Sequence, residues 1–547
     1  MNRTFAIATA AFVLAGCTKT GGDGSSTTGG GQSGTHKNAY TTPHVLRIGD
    51  TQDFDNLNPH LATALILGNL SALTEAYLVR YGHDNRPVPE LATIVPTQAN
   101  GGVSKDGLTI TWHLRRGVKW SDGAPFDGDD VVFSTNAVNN PANNEVGRDG
   151  WDLITKIDEP NKYTVVYHLK KPYSSYLPSF FGSAGANPCV LPKHILGNLP
   201  NINTAPYNAK PIGIGPFRYV EWIRGDHLTL EANPYYWRGQ PKIKRIVYKI
   251  IPDRNTLLTQ LQTGEVDMWN YVPPAYFDRV HALSNVATFR GPSFLFSHVT
   301  FNTSHPALRE KVVRQALRLA TDRKLLRDKI NHGIGILQES IVTPASPFAV
   351  KLPRIPYDVA KANQLLDRAG WKRGPDGIRA KNGVKLNLDY ATTAGSQDID
   401  ARIEQIRTMW QQIGVSITPK HYSTALFFQL VGGIVYGGKF DVTNFSWQLT
   451  PDGDLNPFTS CGLFPPKGQN LSRLCDPKLE PWLQREKTAY NEADRKAIVA
   501  KAVPIIVDDT PFEVLYILED VHAYNSDLTG WHPNNTTPYD DFLNVDI

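Results

Sequence analysis

The sequence predicts an α/β protein with more than one lobe, and three observations support this class. The roughly 510 residues after position 37 exceed what a single hydrophobic core usually holds. Between Arg80 and Pro211, short alternating apolar patterns are typical of strands. After Pro306, amphipathic helices alternate with short strands, which is the pattern of an α/β lobe.

The N-terminus has the features of an export signal. Arg3 supplies a positive charge, and Phe5–Leu14 is an apolar run of about ten residues, too short to span a bilayer. Leu14-Ala15-Gly16-Cys17 resembles the bacterial lipobox, in which the cysteine is lipidated and the chain is cut just before it. We therefore expect a signal peptide over residues 1–16 and a lipid on Cys17. An ordinary signal peptide with an incidental cysteine is the alternative.

A tether follows the predicted lipid. Gly21–Gly34 consists almost entirely of Gly, Ser and Thr, with Asp23 as its one charged residue. Such a segment buries little apolar surface and behaves as a flexible linker. Residues 17–39 are therefore predicted to hold the folded domain at the periplasmic or extracellular face of a membrane.

Charge and cysteine content exclude some classes of protein. The net charge is +4, and the basic residues are scattered, which argues against a nucleic-acid partner. No later segment offers 18 uncharged apolar residues, so no transmembrane helix is predicted. Outside the cytoplasm, Cys461 and Cys475 are expected to form a disulfide, leaving Cys189 as a buried thiol.

The remaining elements are predicted from apolar periodicity and from capping residues. Asp127 or Asp129 can cap one helix, and Gly264 can end another. Strands are predicted at Val45–Ile48, Leu108–Leu114, Tyr163–Leu169, Ile243–Ile251, Leu386–Tyr390 and Val415–Pro419, with a hairpin at Phe217–Ala232. Helices are predicted at Pro59–Tyr77, Asp129–Val138, Asn255–Gly264, Pro306–Ile330, Val359–Ala369 and Arg402–Ile413.

The search for catalytic motifs finds none. The chain has no nucleophile elbow, phosphate loop, zinc-protease motif or paired Cys-x-x-Cys. Gly213-Ile214-Gly215 lacks the third glycine and the helix of a dinucleotide site, and Asp508-Asp509 is interpreted as a solvated turn. A binding protein without cofactor or metal is the prediction that remains.

Four motifs, in order, are similar to those of the family 5 extracellular solute-binding proteins, the peptide receptors of ABC importers. The likeness runs from about residue 44 to the C-terminus. The motifs are Trp112–Phe126 with Asp129-Asp130-Val131, Gly213–Phe217 with Asn233–Trp237, Phe301-Asn302-Thr303 with Val313–Leu317 and Ala320–Arg323, and Lys361–Trp371. The spacing of Cys461 and Cys475 also resembles the disulfide of dipeptide-binding members.

The resemblance implies a periplasmic-binding-protein-like fold (type II, cluster C-like) whose two lobes are joined by two crossing strands. Lobe I would be residues 40–291 with an extra subdomain at about 84–212, lobe II 292–517, and 518–547 would return to lobe I. The crossings are expected near Phe294–Phe301 and Glu513–Asp520. A monomer that closes around its ligand and meets a permease is the expected mechanism.

The resemblance also implies where a ligand binds. Relatives hold the ligand's ammonium group with an Asp three residues after a lobe II tryptophan. Trp447 fits that tryptophan, but the position three later is Thr450. Either Asp452 or Asp454 reaches the site from a shifted loop, or the ligand has no free α-amine. The two aspartates can equally be turn residues.

Further candidates follow from the expected crossings and the neighbouring segments. They are Asn444, Phe296, His298, Tyr516 and Glu75. The function predicted is capture of peptides for an ABC importer. The alternatives are transport of a non-peptide solute such as a sugar, an opine or a metal chelate, and a hydrolase that acts on cell-wall material.

Overall fold

A computed structural model describes residues 38–61, 65–145, 148, 150–183, 188–429, 432–465 and 467–547. The predicted signal peptide, Cys17 and most of the tether lie outside the described residues. Within them, no helix has the length and apolar character needed to cross a membrane. The predicted two-lobed α/β fold is confirmed.

Ten strands of the described residues form one mixed sheet that runs through both lobes. Neighbours along it are Ser416–Tyr422, Asn387–Thr393, Val442–Gln448, Val286–Phe301, Phe512–Asn525, Met268–Trp269, Val45–Asp50, Arg245–Ile250, His227–Ala232 and Phe217–Ile223. The first three belong to the second lobe and the last five to the first lobe. Each half has its own apolar core.

Two long antiparallel strands, Val286–Phe301 and Phe512–Asn525, are shared by both lobes. We call them the crossing strands. They pair from Val286 with Asn525 to Thr300 with Phe512. The pairing shifts register between Pro292 and Phe296, where proline and the irregular ladder weaken the connection between the lobes. A hinge is expected to bend at such a point.

The smaller elements build the subdomain and the outer helices. The other strands are Val79–Tyr81 with Pro87–Pro89, Thr109–His113 with Thr164–Leu169 and Ile154–Asn161, and Lys372–Arg373 with Arg379–Lys381 and Val384–Lys385. Helices of seven or more residues are Leu65–Thr74, Gly128–Asn139, Arg254–Thr263, Lys311–Leu319, Val359–Arg368, Gln397–Gln411, Glu480–Glu486 and Glu492–Asp509. Short helices are Tyr176–Ser179, Lys193–Leu196, Phe277–His281, Pro306–Arg309, Arg323–Leu325, Thr424–Phe428 and Asn456–Thr459, with single turns at Trp151–Leu153, Pro206–Ala209, Pro274–Tyr276 and Leu326–Ile330.

The first family motif holds the scaffold of the subdomain. Asp127 begins the helix Gly128–Asn139 by accepting a hydrogen bond from the Asp129 amide, and Asp130 completes a capping box. The indole of the buried Trp120 donates to Asp130 at 3.2 Å. The motif therefore fixes a turn and a helix start.

The glycines of the second motif permit close packing of two backbones. A side chain at Gly213 would place its Cβ 1.9 Å from the Thr74 carbonyl oxygen, and one at Gly215 would meet the same residue. The segment thus lies directly on the end of the helix Leu65–Thr74, where only glycine fits. This helix is also shorter than the predicted Pro59–Tyr77.

The prediction of one continuous helix over Pro306–Ile330 is wrong. The chain is extended at Glu310, and Asp322 begins a new helical turn by accepting from the Leu325 amide. The carbonyl of Leu308 is freed by the first break and accepts a hydrogen bond from the buried Arg314 at 2.7 Å. The same guanidinium donates to the Asp509 carbonyl, at the end of another helix.

Cys461 and Cys475 form a disulfide, with their Cα atoms 4.7 Å apart, and Cys189 is a buried free thiol. The bridge closes an irregular stretch between the helices Asn456–Thr459 and Glu480–Glu486. Because such stretches have few ladder hydrogen bonds, the covalent link supplies order that secondary structure does not.

We predict that replacing both cysteines, Cys461→Ser with Cys475→Ser, lowers the free energy of unfolding by about 3 kcal/mol, because the unfolded chain regains the entropy of a loop of this length. Chemical denaturation measures the change. A reducing agent should shift the parent protein to the same midpoint and leave the double variant unchanged. An unaltered parent midpoint under full reduction would contradict the prediction.

Candidate functional site

A cavity of about 380 Å³ lies between the two lobes. Its volume falls in the range of small-ligand pockets, about 300 to 1,000 Å³. The first lobe contributes Tyr81, Asn85, Val95, Ser174, Tyr176 and Leu177, and the second contributes Phe348, Pro451, Asp452, Tyr490, Glu492 and Arg495.

Arg495 is the centre of a charged cluster beside this cavity. Its side chain is 4 % exposed, and its Nε donates to the Asp452 carbonyl oxygen at 2.8 Å. Its Nη2 lies 3.1 Å from Asp452 Oδ2 and 3.5 Å from Glu486 Oε1. One guanidinium is therefore shared by two carboxylates.

The cluster carries more negative than positive charge. Asp454 is close enough to Glu486 for its charge to raise the pKa of that carboxyl, although burial of Glu486 is the larger cause. The cluster thus has three acidic side chains, those of Asp452, Asp454 and Glu486. Within the described part of the chain, Arg495 is its one basic side chain. A buried charge imbalance of this kind favours the binding of a further cation.

Asp452 is the carboxylate that lines the cavity. Its Oδ1 accepts a hydrogen bond from the Thr450 hydroxyl at 2.5 Å. Its Oδ2 is buried and makes no hydrogen bond of good geometry with any described residue, despite the nearby guanidinium. The Thr450 contact is local and holds the Asp452 carboxyl within the turn that follows Leu449.

The cluster also joins the two lobes directly. Arg495 Nη1 donates to the Ser174 hydroxyl at 2.9 Å, and the Ser175 hydroxyl donates to Asp454 Oδ2 at 3.0 Å. The Ser174 amide donates to the Lys487 carbonyl at 3.0 Å. Polar contacts between residues 174–175 and the segments near 454, 487 and 495 therefore join the two sides of the cavity.

The strand Val442–Gln448 leads to this loop and has a partly free edge. One side pairs along its whole length with the first crossing strand. On the other side, only Val442 and Thr443 pair with the neighbouring strand, so Asn444–Gln448 have no strand partner there among the described residues. Such an edge can accept an added strand.

Trp447, Phe296 and His298 lie in the core of the second lobe. The Trp447 ring centre is 4.1 Å from that of His298 and 6.1 Å from that of Phe296. Burial lowers the pKa of His298 to about 3, so the imidazole is neutral. These three residues are not in the described cavity wall, and a role for them in ligand binding stays a prediction.

Asn444 and Tyr516 lie on the opposite face of the sheet. The Tyr516 hydroxyl accepts a hydrogen bond from Arg402 at 2.9 Å. Asn444 is 1 % exposed, and its side chain has no hydrogen-bond partner among the described residues. Leaving a buried amide without a hydrogen bond costs free energy, so Asn444 remains a candidate for ligand contact.

Glu75 lies far from the Arg495 cluster, in the wall of a second cavity of about 30 Å³ within the first lobe. Burial raises its pKa to about 8. Its wall neighbours include Arg80, Glu90 and Asp540. The structure therefore brings Thr450, Asp452 and Asp454 together and leaves Glu75 apart from them.

Sequence reasoning missed Arg495, Glu486 and the serine pair. The signal for Arg495 was available in part, because it occupies the same helical face as the buried Val499 and Ala502. A basic residue within an apolar stripe needs a buried partner. Its partners come from distant segments, which periodicity does not reveal.

Comparison with known proteins shows the relationship. Residues 86–464 match the family model described as bacterial extracellular solute-binding proteins, family 5 Middle. The chain is 28 % identical to the oligopeptide-binding protein AppA of Bacillus subtilis over 441 residues, 78 % of this chain and 79 % of that protein.

Solved structures share the fold. AppA from Bacillus subtilis, in complex with a nonapeptide, has a TM-score of 0.75 and 23 % identity, covering 92 % of this chain and 98 % of that one. NikA from Brucella suis, in complex with Fe(III)-EDTA, has a TM-score of 0.76 and 22 % identity, covering 91 % and 99 %. The resemblance seen in the four motifs is thus confirmed: the chain belongs to the family 5 bacterial extracellular solute-binding proteins.

Proposed function

We propose that this protein captures peptides between its lobes, outside the cytoplasm, and delivers them to the permease of an ABC importer. The family supports the role of solute receptor, and the relative AppA is named for oligopeptide binding. The observation that carries the peptide assignment is the surplus of buried carboxylate beside the interlobe cavity.

That surplus matches the amino terminus of a peptide. Asp452 and Glu486 share the guanidinium of Arg495, and Asp454 adds a third carboxyl group nearby. The buried Oδ2 of Asp452 has no well-aligned hydrogen-bond donor. An ammonium group placed there would gain a charge-assisted hydrogen bond and reduce the imbalance. Asp452 therefore takes the role that Thr450 lacks.

The strand edge offers the second part of a peptide site. A peptide in extended form can pair its backbone with Asn444–Gln448, since backbone pairing is independent of the side chains of the ligand. The strand ends at Gln448, and Asp452 lies four residues further along the chain. One extended ligand can thus use the edge for its backbone and Asp452 for its ammonium.

Lobe closure connects capture to delivery. The contacts of Ser174 and Ser175 with the Arg495 cluster form only when the lobes meet. A ligand cation that stabilises this cluster also stabilises the closed form, which the permease would recognise. We assign lobe I to residues 40–291 and 518–547, with its subdomain at about 84–212, and lobe II to 292–517; a single chain suffices for this cycle.

We predict that Asp452→Asn weakens binding of a tripeptide with a free amine by about 2 kcal/mol, the scale of one charge-assisted hydrogen bond. Titration calorimetry measures the affinity. The N-acetylated form of the same tripeptide should bind the variant and the parent equally, because it has no ammonium to lose. The matched control is Asp494→Asn, an exposed aspartate near Arg495 in sequence.

Equal affinity of the parent protein for free and acetylated peptides would contradict the role of Asp452. Failure of every peptide, together with a raised melting temperature in a sugar, an opine or a metal chelate, would show that the ligand is a different solute.

We also predict that affinity for free-amine peptides rises with pH across the titration of Glu486, by about tenfold if the pKa of that carboxyl shifts by one unit on binding. Burial raises the pKa of Glu486 well above its ordinary value, so this carboxyl takes up a proton as pH falls. Arg495 then pairs with Asp452 alone and neutralises it. Glu486→Gln should remove the pH dependence; an unchanged pH profile in that variant would refute the linkage.

We further propose that Cys17 is lipidated and that residues 17–39 tether the receptor to the membrane. The support is the lipobox-like segment and the Gly-rich stretch after it. Tethering keeps the receptor at high local concentration beside a permease.

Cys17→Ser should therefore move the protein from the membrane fraction to the aqueous fraction after detergent phase separation, whereas Cys189→Ser should not. Retention of the Cys17→Ser protein in the membrane fraction would show that another feature anchors it.

A further inference from the structure

The interlobe cavity has an apolar part that the charged cluster does not use. Its wall includes the rings of Tyr176, Tyr490 and Phe348 and the side chains of Val95 and Leu177. These residues come from both lobes, so the apolar surface is complete only in the closed form.

Most polar atoms of this wall already have partners. The Tyr176 hydroxyl donates to the Pro96 carbonyl at 2.5 Å, and the Tyr490 hydroxyl donates to the Gly107 carbonyl at 3.1 Å. Because both hydroxyls are occupied, these two residues offer a ligand ring surface rather than hydrogen bonds.

The charges at the rim are also paired with each other. Arg86 donates to both oxygens of Glu492, at 2.6 and 3.1 Å. Arg495 is held by Asp452 and Glu486, as described above. A charged ligand side chain entering this part would lose its hydration without gaining a free partner of opposite sign.

Among the described residues, Asn85 Oδ1 and Asp452 Oδ2 are buried wall atoms without a well-aligned hydrogen-bond donor. Asp452 Oδ2 lies 3.1 Å from Arg495 Nη2, so its negative charge is only partly compensated. The Tyr81 hydroxyl also belongs to this wall, and its pKa is raised by burial first and by the charge of Asp452 second. These oxygens suit the amine end of a peptide, so the apolar surface of the same cavity is left for the side chain of that residue.

The volume agrees with this arrangement. A cavity of about 380 Å³ holds many water molecules, since roughly 10–15 Å³ suffices for one. A glycine or alanine residue would leave most of this space to water against apolar walls. A large aromatic or aliphatic side chain would fill it and release that water.

We propose that this cavity is a specificity pocket for the amino-terminal residue of the peptide and that it selects a large apolar or aromatic side chain. The proposal rests on the peptide function above and adds a preference to it. Burying such a side chain is expected to lower the dissociation constant about tenfold to a hundredfold relative to glycine.

The test is titration calorimetry with four tripeptides that differ only at the first residue: Gly-Ala-Ala, Leu-Ala-Ala, Phe-Ala-Ala and Asp-Ala-Ala. The parent protein should bind the Leu and Phe peptides at least tenfold more tightly than the Gly peptide, and the Asp peptide no more tightly than Gly. Equal dissociation constants across the series, or tightest binding of Asp-Ala-Ala, would overturn the pocket while leaving peptide capture intact.

A variant that fills the cavity provides the second measurement. Ala489 lines the pocket and is 8 % exposed. In Ala489→Phe, the preference for Phe-Ala-Ala over Gly-Ala-Ala should fall below threefold. Ala493→Phe, at an exposed position four residues later, should keep the full preference. An undiminished preference in a folded Ala489→Phe protein would refute the assignment.

The peptide series on the parent protein decides the question if Ala489→Phe does not fold. If no member of the series binds, the peptide function itself fails, and the pocket fails with it.

Discussion

The two crossing strands are the constraint on which the rest of the structure depends. Val286–Phe301 and Phe512–Asn525 pair over their length and belong to both lobes, so the lobes cannot separate freely or slide past one another. The ladder is irregular near Pro292 to Phe296, which is where bending is expected. In the proposed function, bending there opens and closes one interface, and this interface contains the cavity and the charged cluster.

The charged cluster gives that motion an energetic consequence. Arg495 and its carboxylates lie on the second lobe, and the two serines that complete their hydrogen bonds lie on the first. Burying an ion costs free energy unless ion pairs and hydrogen bonds replace its lost hydration. In the proposed closed form the Arg495 guanidinium gains a hydrogen bond to the Ser174 hydroxyl. The carboxylates of the cluster still outnumber this one cation. A cationic ligand relieves the remaining imbalance, so ligand binding and closure favour each other.

The parts of the structure that depend on local chemistry were predictable from the sequence. Asp127 caps its helix, Gly264 ends the helix Arg254–Thr263 in a left-handed conformation, and Cys461 is bonded to Cys475. The four motifs were sufficient to predict the family and the two-lobed fold, because they encode turns, caps and close backbone contacts. These features recur wherever the same scaffold is built.

The parts that depend on distant contacts were not predictable. The helix predicted over Pro306–Ile330 is broken at Glu310, and the buried Arg314 binds carbonyl groups from two helix ends, one of them almost 200 residues away. The cluster around Arg495 likewise unites segments near 174, 452 and 486. Asp452 was named as a candidate, but its competition for Arg495 with Glu486 became visible only in three dimensions.

The central claim is that the ligand is a peptide whose amine lies at Asp452 between closed lobes. Mass spectrometry of small molecules released from the natively purified protein tests it most directly. The account predicts peptides with free amino termini, and their loss from the Asp452→Asn protein purified in the same way. Release of a sugar, an opine or a metal chelate from the parent protein, with no peptide, would contradict it.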